Sequence, residues 1–148
     1  MRQEVLDAAW RHEVVESGGI LVGEEDGDGL ITTIAAATGP GPGSIHSWRS
    51  VEISRDAAHE IIASNPRLRE IGVWHSHPFH NYVEPSPCDL RGSLARAKRL
   101  GGHIIDLILS PTHHGGGLYY GARVNGWLTH QTRRGWVCEP VRVRPADY

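Results

Sequence analysis

A short segment in the middle of the chain holds the residues whose types and spacing could bind a metal ion. His75 and His77 are separated by one residue, and Asp89 follows twelve residues after the second histidine. On a β-strand, the two-residue repeat would direct both imidazoles to the same face. Two imidazoles and one carboxylate are three ligands, which leaves a fourth tetrahedral position open, as in catalytic rather than structural zinc sites. The spacing therefore predicts one catalytic Zn²⁺ per chain.

Ser86 lies one helical turn before Asp89 and has two interpretations. With Pro87 at the first helical position it fits the N-cap of a helix, and Asp89 then falls at the third position, where an acid is favourable. The same hydroxyl could also donate a hydrogen bond to the oxyanion that forms on an attacked carbonyl. Hydrolysis at such a site needs a base to accept a proton from water. Since Asp89 is used as a ligand, another acidic residue must supply that base.

Other interpretations of the same segment fit less well. Histidines at a strand end can be ordinary core or surface residues, and Asp89 can be only a helix cap, but neither explains the spacing of all three. Cys88 lies where a thiolate would be stabilised, yet a complete ligand set favours a redox-sensitive or packing role for it. A histidine-triad hydrolase would need histidine where the chain has Phe79, and no His-Glu-x-x-His, P-loop or dinucleotide-binding motif is present.

The composition is that of an ordinary globular protein and argues against several classes. A chain of 148 residues with 39% hydrophobic and 22% charged residues predicts a single domain over 1–148. The net charge of −2 provides no strong field for nucleic acid or an anionic membrane. No apolar run approaches the ~20 residues of a membrane span, and the N-terminus lacks the pattern of a signal peptide. Because Cys88 and Cys138 alone form no disulfide framework, we expect a cytoplasmic protein with free thiols.

Hydrophobic periodicity and turn residues predict helices and strands around these candidate ligands. The histidines end an apolar, β-branched strand, and Ser86 begins a helix that Gly101 and Gly102 terminate. The expected fold is α/β, with a single mixed β-sheet flanked by helices. The predicted helices are 5–14, 55–63 (with Ser54 as N-cap) and 87–100; the predicted strands are 20–22 and 30–38 (a hairpin), 48–53, 70–75, 103–109, 118–124 and 127–143; the predicted loops include 39–43 and 79–85.

The whole pattern resembles a known family of metalloproteases. His-Ser-His-Pro at 75–78, seven further residues and Ser-x-x-Asp at 86–89 are similar to the motif of the JAB/MPN (JAMM) metalloproteases. The Glu-Ser-Gly-Gly segment at 16–19 resembles the Glu-Thr-Gly-Gly that begins the first core strand in that family. The resemblance covers roughly residues 5–124. It implies the MPN/JAB sandwich, which is related to the cytidine deaminase fold.

The resemblance also implies a role for each candidate residue. It implies the general base at Glu16 rather than at Glu24 or Glu25. It implies a zinc-dependent, deubiquitinase-like isopeptidase that hydrolyses the amide bond after the C-terminal Gly of a ubiquitin-like or sulfur-carrier protein. The remaining implied roles are His75, His77 and Asp89 as Zn²⁺ ligands and Ser86 as oxyanion donor.

The resemblance leaves the biological setting and two alternatives open. Small bacterial relatives occur with antiviral conjugation systems, where they remove a protein attached to a target lysine. One alternative is a non-catalytic MPN-type scaffold, although such members usually lack the ligands that this chain retains. The other is a hydrolase that releases an amino acid from a sulfur-carrier adduct.

Overall fold

The computed structural model describes residues 16–27, 30–39, 45–46, 51–52, 55–77, 82–113 and 120–144. Within these ranges the chain forms eight strands and two helices. In chain order they are β1 (Gly18–Glu25), β2 (Ile31–Ala37), β3 (Ile45–His46), β4 (Val51–Glu52), α1 (Asp56–Ser64), β5 (Arg69–Ser76), α2 (Pro87–Leu100), β6 (Ile104–His113), β7 (Tyr120–Thr132) and β8 (Gly135–Val141).

Six of the strands form one mixed sheet, which confirms the predicted α/β fold class. The strand order is β2-β1-β5-β6-β7-β8, and β3 and β4 pair separately as a two-stranded sheet. Strands β5 and β6 are parallel, and the other neighbours in the large sheet are antiparallel. A parallel pair needs a long crossover connection, and α2 lies within the connection between β5 and β6. The start of α2 therefore follows β5 as the next described element of the chain.

The central strands are buried on both faces, which explains why their sequences are apolar without alternation. One face carries a cluster of Ile20, Val22 and Val73 that packs against Ala58 of α1. The other face carries Leu21, Ile71, Trp74 and Leu109. Strands covered on both sides read as continuous hydrophobic runs. The packing of the central strands therefore holds the residues at their ends in place.

Strand β5 approaches β6 so closely that one position requires glycine. Gly72 has φ +156°, and a Cβ atom there would collide with the backbone carbonyl of Ile105. The register between β1 and β5 also shifts between Leu21 and Val22 at this level, which is the signature of a β-bulge. Glycine accepts both the conformation and the close approach because it has no side chain. This position sets how β5 lies against both of its neighbours.

Several predicted boundaries are confirmed and others are wrong. The hairpin of β1 and β2, the strand that ends at the histidine pair and the helix over 87–100 are all confirmed. Strand β1 begins at Gly18 and ends at Glu25, so it is longer at both ends than the predicted strand 20–22. Helix α1, the second of the predicted helices, begins one residue later than predicted. Arg55 rather than Ser54 is its N-cap, and no side-chain cap hydrogen bond is formed. Ser54 itself lies outside the described residues.

The C-terminal strands differ most from the prediction. In place of strands 118–124 and 127–143, one long strand, β7, continues through Asn125 and Gly126, and the turn falls at residues 133–134. Continuous pairing explains the difference, because Asn125 lies opposite Ile108 and Gly126 opposite Val141. Of the predicted strand 48–53, only Val51–Glu52 is described as strand.

Some predicted segments cannot be compared. The predicted helix 5–14, residues 40–43 of the first predicted loop and residues 79–81 of the second lie outside the described residues. Among the described residues, no helix is long and apolar enough to cross a membrane.

Candidate metal centre

The two histidines lie at the C-terminal end of β5, an interior strand of the large sheet. The strand ends at Ser76, but the backbone N–H of His77 still donates to the carbonyl of Leu109 at 2.7 Å, which extends the ladder to β6 by one residue. Because side chains alternate along an extended backbone, His75 and His77 share a face. Their rings lie close together, with centroids 4.9 Å apart. The predicted same-face arrangement is therefore present.

A pair of serines holds the start of β1 against the histidine segment. The Ser76 N–H donates to the Ser17 carbonyl at 2.7 Å, and the Ser17 N–H donates to the Ser76 Oγ at 2.9 Å. Both serines are fully buried. Ser17 follows Glu16 and Ser76 separates the two histidines, so this reciprocal pairing fixes the Glu16 backbone next to the histidine pair. Sequence reasoning did not identify this role for either serine.

The N-terminus of α2 carries the third member of the cluster in a capping box. The Asp89 N–H donates to Ser86 Oγ at 3.2 Å, and the Ser86 N–H donates to Asp89 Oδ2 at 2.7 Å. Pro87 occupies the start of the helix, and Gly101 ends it in the left-handed conformation at φ 78°. The capping box and the Gly101 N–H, which donates to the Ala97 carbonyl, satisfy backbone groups that a helix end leaves unpaired, and Pro87 has no N–H to satisfy. The predicted N-cap role of Ser86 is present, and it locks the Asp89 carboxylate in one orientation.

The three donor side chains converge at distances suited to a single metal ion. The Nε2 atoms of His75 and His77 are 3.1 Å apart, and they lie 3.5 Å from Asp89 Oδ1 and Oδ2, respectively. Zinc held tetrahedrally at about 2.0–2.1 Å from nitrogen and oxygen donors separates those donors by about 3.3–3.4 Å. Among the described residues, these three form a group that could hold a metal ion. The donor set therefore fits a divalent ion in both chemistry and spacing.

The loop before α2 orients one of the imidazoles. His77 Nδ1 lies 3.1 Å from the Tyr82 carbonyl oxygen. A carbonyl only accepts, so His77 donates through Nδ1, and in the neutral imidazole this leaves the lone pair on Nε2, the atom that faces the cluster. Such hydrogen bonds are a usual way of fixing the tautomer of a metal-binding histidine. The next carbonyl, that of Val83, accepts from the Trp127 indole N–H at 3.0 Å, which ties this loop to β7.

The charges at the cluster favour a cation between its donors. Burial acts to raise the pKa of Asp89, but hydrogen bonds and positive charge from His75 and His77 hold it well below its usual range. Burial acts to lower the pKa of His77, but the hydrogen bond and charge of Asp89 outweigh it and raise that pKa. Positive charge facing the Asp89 carboxylate is therefore stabilised here, and a divalent ion would provide it.

Glu16 is brought to the same place. Its carboxyl group is half-buried, and burial raises its pKa; the charges of His75 and His77 lower it and that of Asp89 raises it. These interactions require the carboxyl group to lie near all three members of the cluster. Glu16 therefore lies in the neighbourhood of the three donors, and the roles of Glu16 and Ser86 stay predictions.

One buried carboxylate beside the cluster was missed by sequence reasoning. Asp106 of β6 is 4% exposed, and it accepts hydrogen bonds from Ser93 Oγ and, at 3.2 Å, from Arg96 Nη1. Burial raises its pKa, whereas the Arg96 charge and the Ser93 hydrogen bond lower it. The signal in the sequence was a lone acid inside the apolar stretch at 104–109. Buried charges are rarely present without a partner.

Comparison with known proteins identifies the family. A mixed sheet with a His-His-Asp cluster at one strand end is the arrangement that the JAB resemblance implies. The family of prokaryotic homologs of the JAB domain matches residues 1–119, and the chain belongs to that family. No curated protein matches the chain.

Two solved structures are similar in fold. A solution structure of a protein from Salinibacter ruber has a TM-score of 0.55 and 22% identity, covering 98% of this chain and 87% of that one. A solution structure of a protein from Desulfitobacterium hafniense has a TM-score of 0.52 and 21% identity, covering 98% and 89%. At these identities the similarity supports the fold alone.

Proposed function

We propose that the protein is a zinc metallopeptidase of the isopeptidase type, which hydrolyses an amide bond after the C-terminal Gly of a ubiquitin-like or sulfur-carrier protein. The observation that carries the proposal is the spacing of the donor groups beside a half-buried glutamate: the two Nε2 atoms are 3.1 Å apart, and each lies 3.5 Å from one oxygen of the Asp89 carboxylate. A purely structural zinc would use four protein ligands, whereas three leave one position for a reactant.

Each residue has a distinct task in the proposed reaction. His75, His77 and Asp89 would hold Zn²⁺, which when bound supplies Lewis-acid activation of water and of the scissile carbonyl. The Glu16 carboxylate would accept a proton from the attacking water and pass it to the leaving amine. Ser86 Oγ already accepts from the Asp89 N–H, so its own hydrogen can donate to the oxyanion that develops on the carbonyl.

The proposed substrate is the one that the family resemblance implies, and a glycine tail suits it physically. A tail without side chains can pass through a narrow groove next to a metal and pair with the edge of a strand. In the large sheet, β2 and β8 are the edge strands. The leaving group would be a lysine amine of a conjugated protein, as in bacterial antiviral conjugation, or an amino acid on a sulfur carrier.

A non-catalytic scaffold remains the alternative from another class. The presence of the complete set of Glu16, the three donors and Ser86 favours catalysis, since a scaffold needs none of them. Neighbouring genes would separate the two catalytic settings: a gene for an E1-like activating enzyme indicates conjugate removal, and cysteine-synthesis genes indicate sulfur metabolism.

The direct test is a cleavage assay on matched conjugates. The zinc-loaded protein is incubated with a ubiquitin-like protein joined to a lysine side chain through a Gly-Gly terminus, and with the same conjugate ending in Gly-Ala. We expect release of the Gly-Gly conjugate only, and no release by a His77→Ala, Asp89→Ala variant. Equal cleavage by that variant, or no cleavage of any glycine-ended conjugate by the zinc-loaded protein, would contradict the proposal.

A further inference from the structure

The buried Asp106 joins the helix that carries Asp89 to the centre of the sheet. Both of its side-chain partners, Ser93 and Arg96, belong to α2, and Asp106 itself belongs to β6. Ser93 is 2% exposed, so its hydrogen bond to Asp106 is shielded from water. Hydrogen bonds to a charged group are stronger and more geometrically demanding than neutral ones. Asp106 therefore fixes α2 at a defined place above β6.

The residues of α2 that face the sheet form one stripe. Asp89, Ser93 and Ala97 follow one another at intervals of four, which places them on the same side of a helix. Ser93 and Ala97 are buried, which identifies this side as the one packed on the sheet. Asp89, which carries the third donor group, and Ser93, which donates to Asp106, therefore occupy successive positions on the helix face that packs on the sheet.

The spacing of the two anchor points matches on the helix and on the sheet. Asp106 lies opposite Val73, and Ile108 lies opposite His75, so Asp106 is two residues below the level of the first histidine. Two residues of a strand rise about 6.6 Å. Four residues of a helix, from Asp89 to Ser93, rise about 6 Å. Holding Ser93 at the level of Asp106 thus brings Asp89 to the level of His75.

We propose that Asp106, acting through Ser93 and Arg96, is a positioning residue for the metal centre. It sets where α2 lies along the sheet, and thereby the 3.5 Å separations between the Asp89 carboxylate and the two imidazoles. The inference rests on the proposed function, because it requires that the cluster binds metal.

Among the described residues, the other polar contacts of α2 constrain its position less. The capping box of Ser86 and Asp89 is internal to the helix start. The ion pair of Arg99 with Glu70, at 2.8 Å, also connects α2 to β5, but the Arg99 side chain is 50% exposed. Exposed ion pairs contribute little because water and salt screen them. Arg96 and Arg99 therefore offer a matched comparison of a buried and an exposed ion pair on one helix.

The test measures zinc affinity by competition with a chromophoric chelator, at a temperature where every variant is folded. The variants are Ser93→Ala, Arg96→Gln and Asp106→Asn, and the control is Arg99→Gln. We expect the three variants to bind zinc about 10–100-fold more weakly, which is the usual effect of removing groups that support metal ligands. The control should stay within about threefold of the unmodified protein.

A second measurement separates positioning from simple stabilisation. With Co²⁺ as probe, the visible absorption of the site reports how its ligands are arranged, independently of melting temperature. We expect altered spectra for Arg96→Gln and Ser93→Ala, and an unaltered spectrum for Arg99→Gln. Melting temperatures that fall while zinc affinity and spectrum stay unchanged would overturn the positioning role. An unmodified protein that binds no zinc would overturn the proposed function, and this inference with it.

Discussion

The donor atoms of His75, His77 and Asp89 are positioned by local geometry, within one strand for the histidines and within one helical turn for the aspartate. His75 and His77 are aligned by the repeat of one strand, and Asp89 is held by the first turn of one helix. Glu16 lies just before β1 and owes its place to the reciprocal hydrogen bonds between Ser17 and Ser76. At the scale of single residues, the proposed base and the proposed ligands can therefore be altered separately.

Replacing Glu16 by Gln should abolish hydrolysis without releasing the metal. Its carboxyl group would handle the proton of water and is not one of the donors, so we expect a loss of about 10²–10⁴-fold in kcat. Zinc content, measured by elemental analysis, should be unchanged. Glu24→Gln is the control, since Glu24 forms a partly exposed ion pair with Arg67 at 3.5 Å. An active Glu16→Gln protein together with an inactive Glu24→Gln protein would show that Glu16 is not the base.

Replacing Ser86 separates its structural role from its proposed catalytic role. Loss of the N-cap in Ser86→Ala should cost about 1 kcal/mol of stability. Loss of an oxyanion donor should lower kcat by about 10²–10³-fold with little change in KM. Ser86→Asn, which retains a capping oxygen, should recover stability but stay slow. A Ser86→Ala protein with a lower melting temperature and unchanged kcat would show that the serine is only a cap.

At the scale of elements, the site lies where β5 and α2 meet, and both depend on backbone features. Strand β5 requires Gly72 at its contact with β6, and α2 ends at Gly101 in the left-handed conformation. Gly92, in contrast, lies inside α2 with no atom within 4 Å of where a Cβ would be. Replacing Gly72 should therefore lower the stability of the protein, whereas replacing Gly92 should raise it.

The pair Gly72→Ala and Gly92→Ala tests this difference. In Gly72→Ala the new methyl group collides with the Ile105 backbone at an unfavourable φ, so we expect a loss of at least about 2 kcal/mol. In Gly92→Ala the helix gains about 0.5–1 kcal/mol, because alanine loses less backbone entropy on folding. Urea denaturation monitored by circular dichroism measures both. Equal stability of the two variants would contradict the described contact of β5 with β6.

At the scale of the whole molecule, a metal ion would connect a strand of the large sheet to the helix that packs on that sheet. The ligands come from the end of β5, which belongs to the large sheet, and from the start of α2, which packs on that sheet. A ligand that binds only the folded state stabilises it by mass action. Metal binding and global stability are therefore linked.

Zinc should accordingly raise the melting temperature, and chelation should lower it. At a free concentration 100 times the Kd, zinc would stabilise the folded protein by about 2.7 kcal/mol. In a His77→Ala, Asp89→Ala variant the zinc-dependent shift should disappear, because two of the three donors are gone. Thermal melts with and without zinc measure the shift. The same shift in both proteins would mean that zinc acts elsewhere on the chain.

Much of the site could be predicted from sequence because it depends on local rules. The strand repeat at His75 and His77, the Ser86 cap and the glycine that ends α2 each involve residues within a few positions of one another. These signals predicted the helix 87–100 and the α/β class. They also identified the candidate ligands as one set from sequence alone. The role of Glu16 was implied only by resemblance to the JAB family.

Tertiary structure decided the features that depend on pairing between distant segments. The parallel register of β5 with β6 places Asp106 beside α2, and the continuous pairing of β7 carries Asn125 and Gly126 straight through an expected break. Strand register is set by packing and by partners far away in the chain, so local propensity cannot specify it. The sequence by itself determined which residues could bind a metal, and the packing of α2 on the sheet decided that their donor atoms meet.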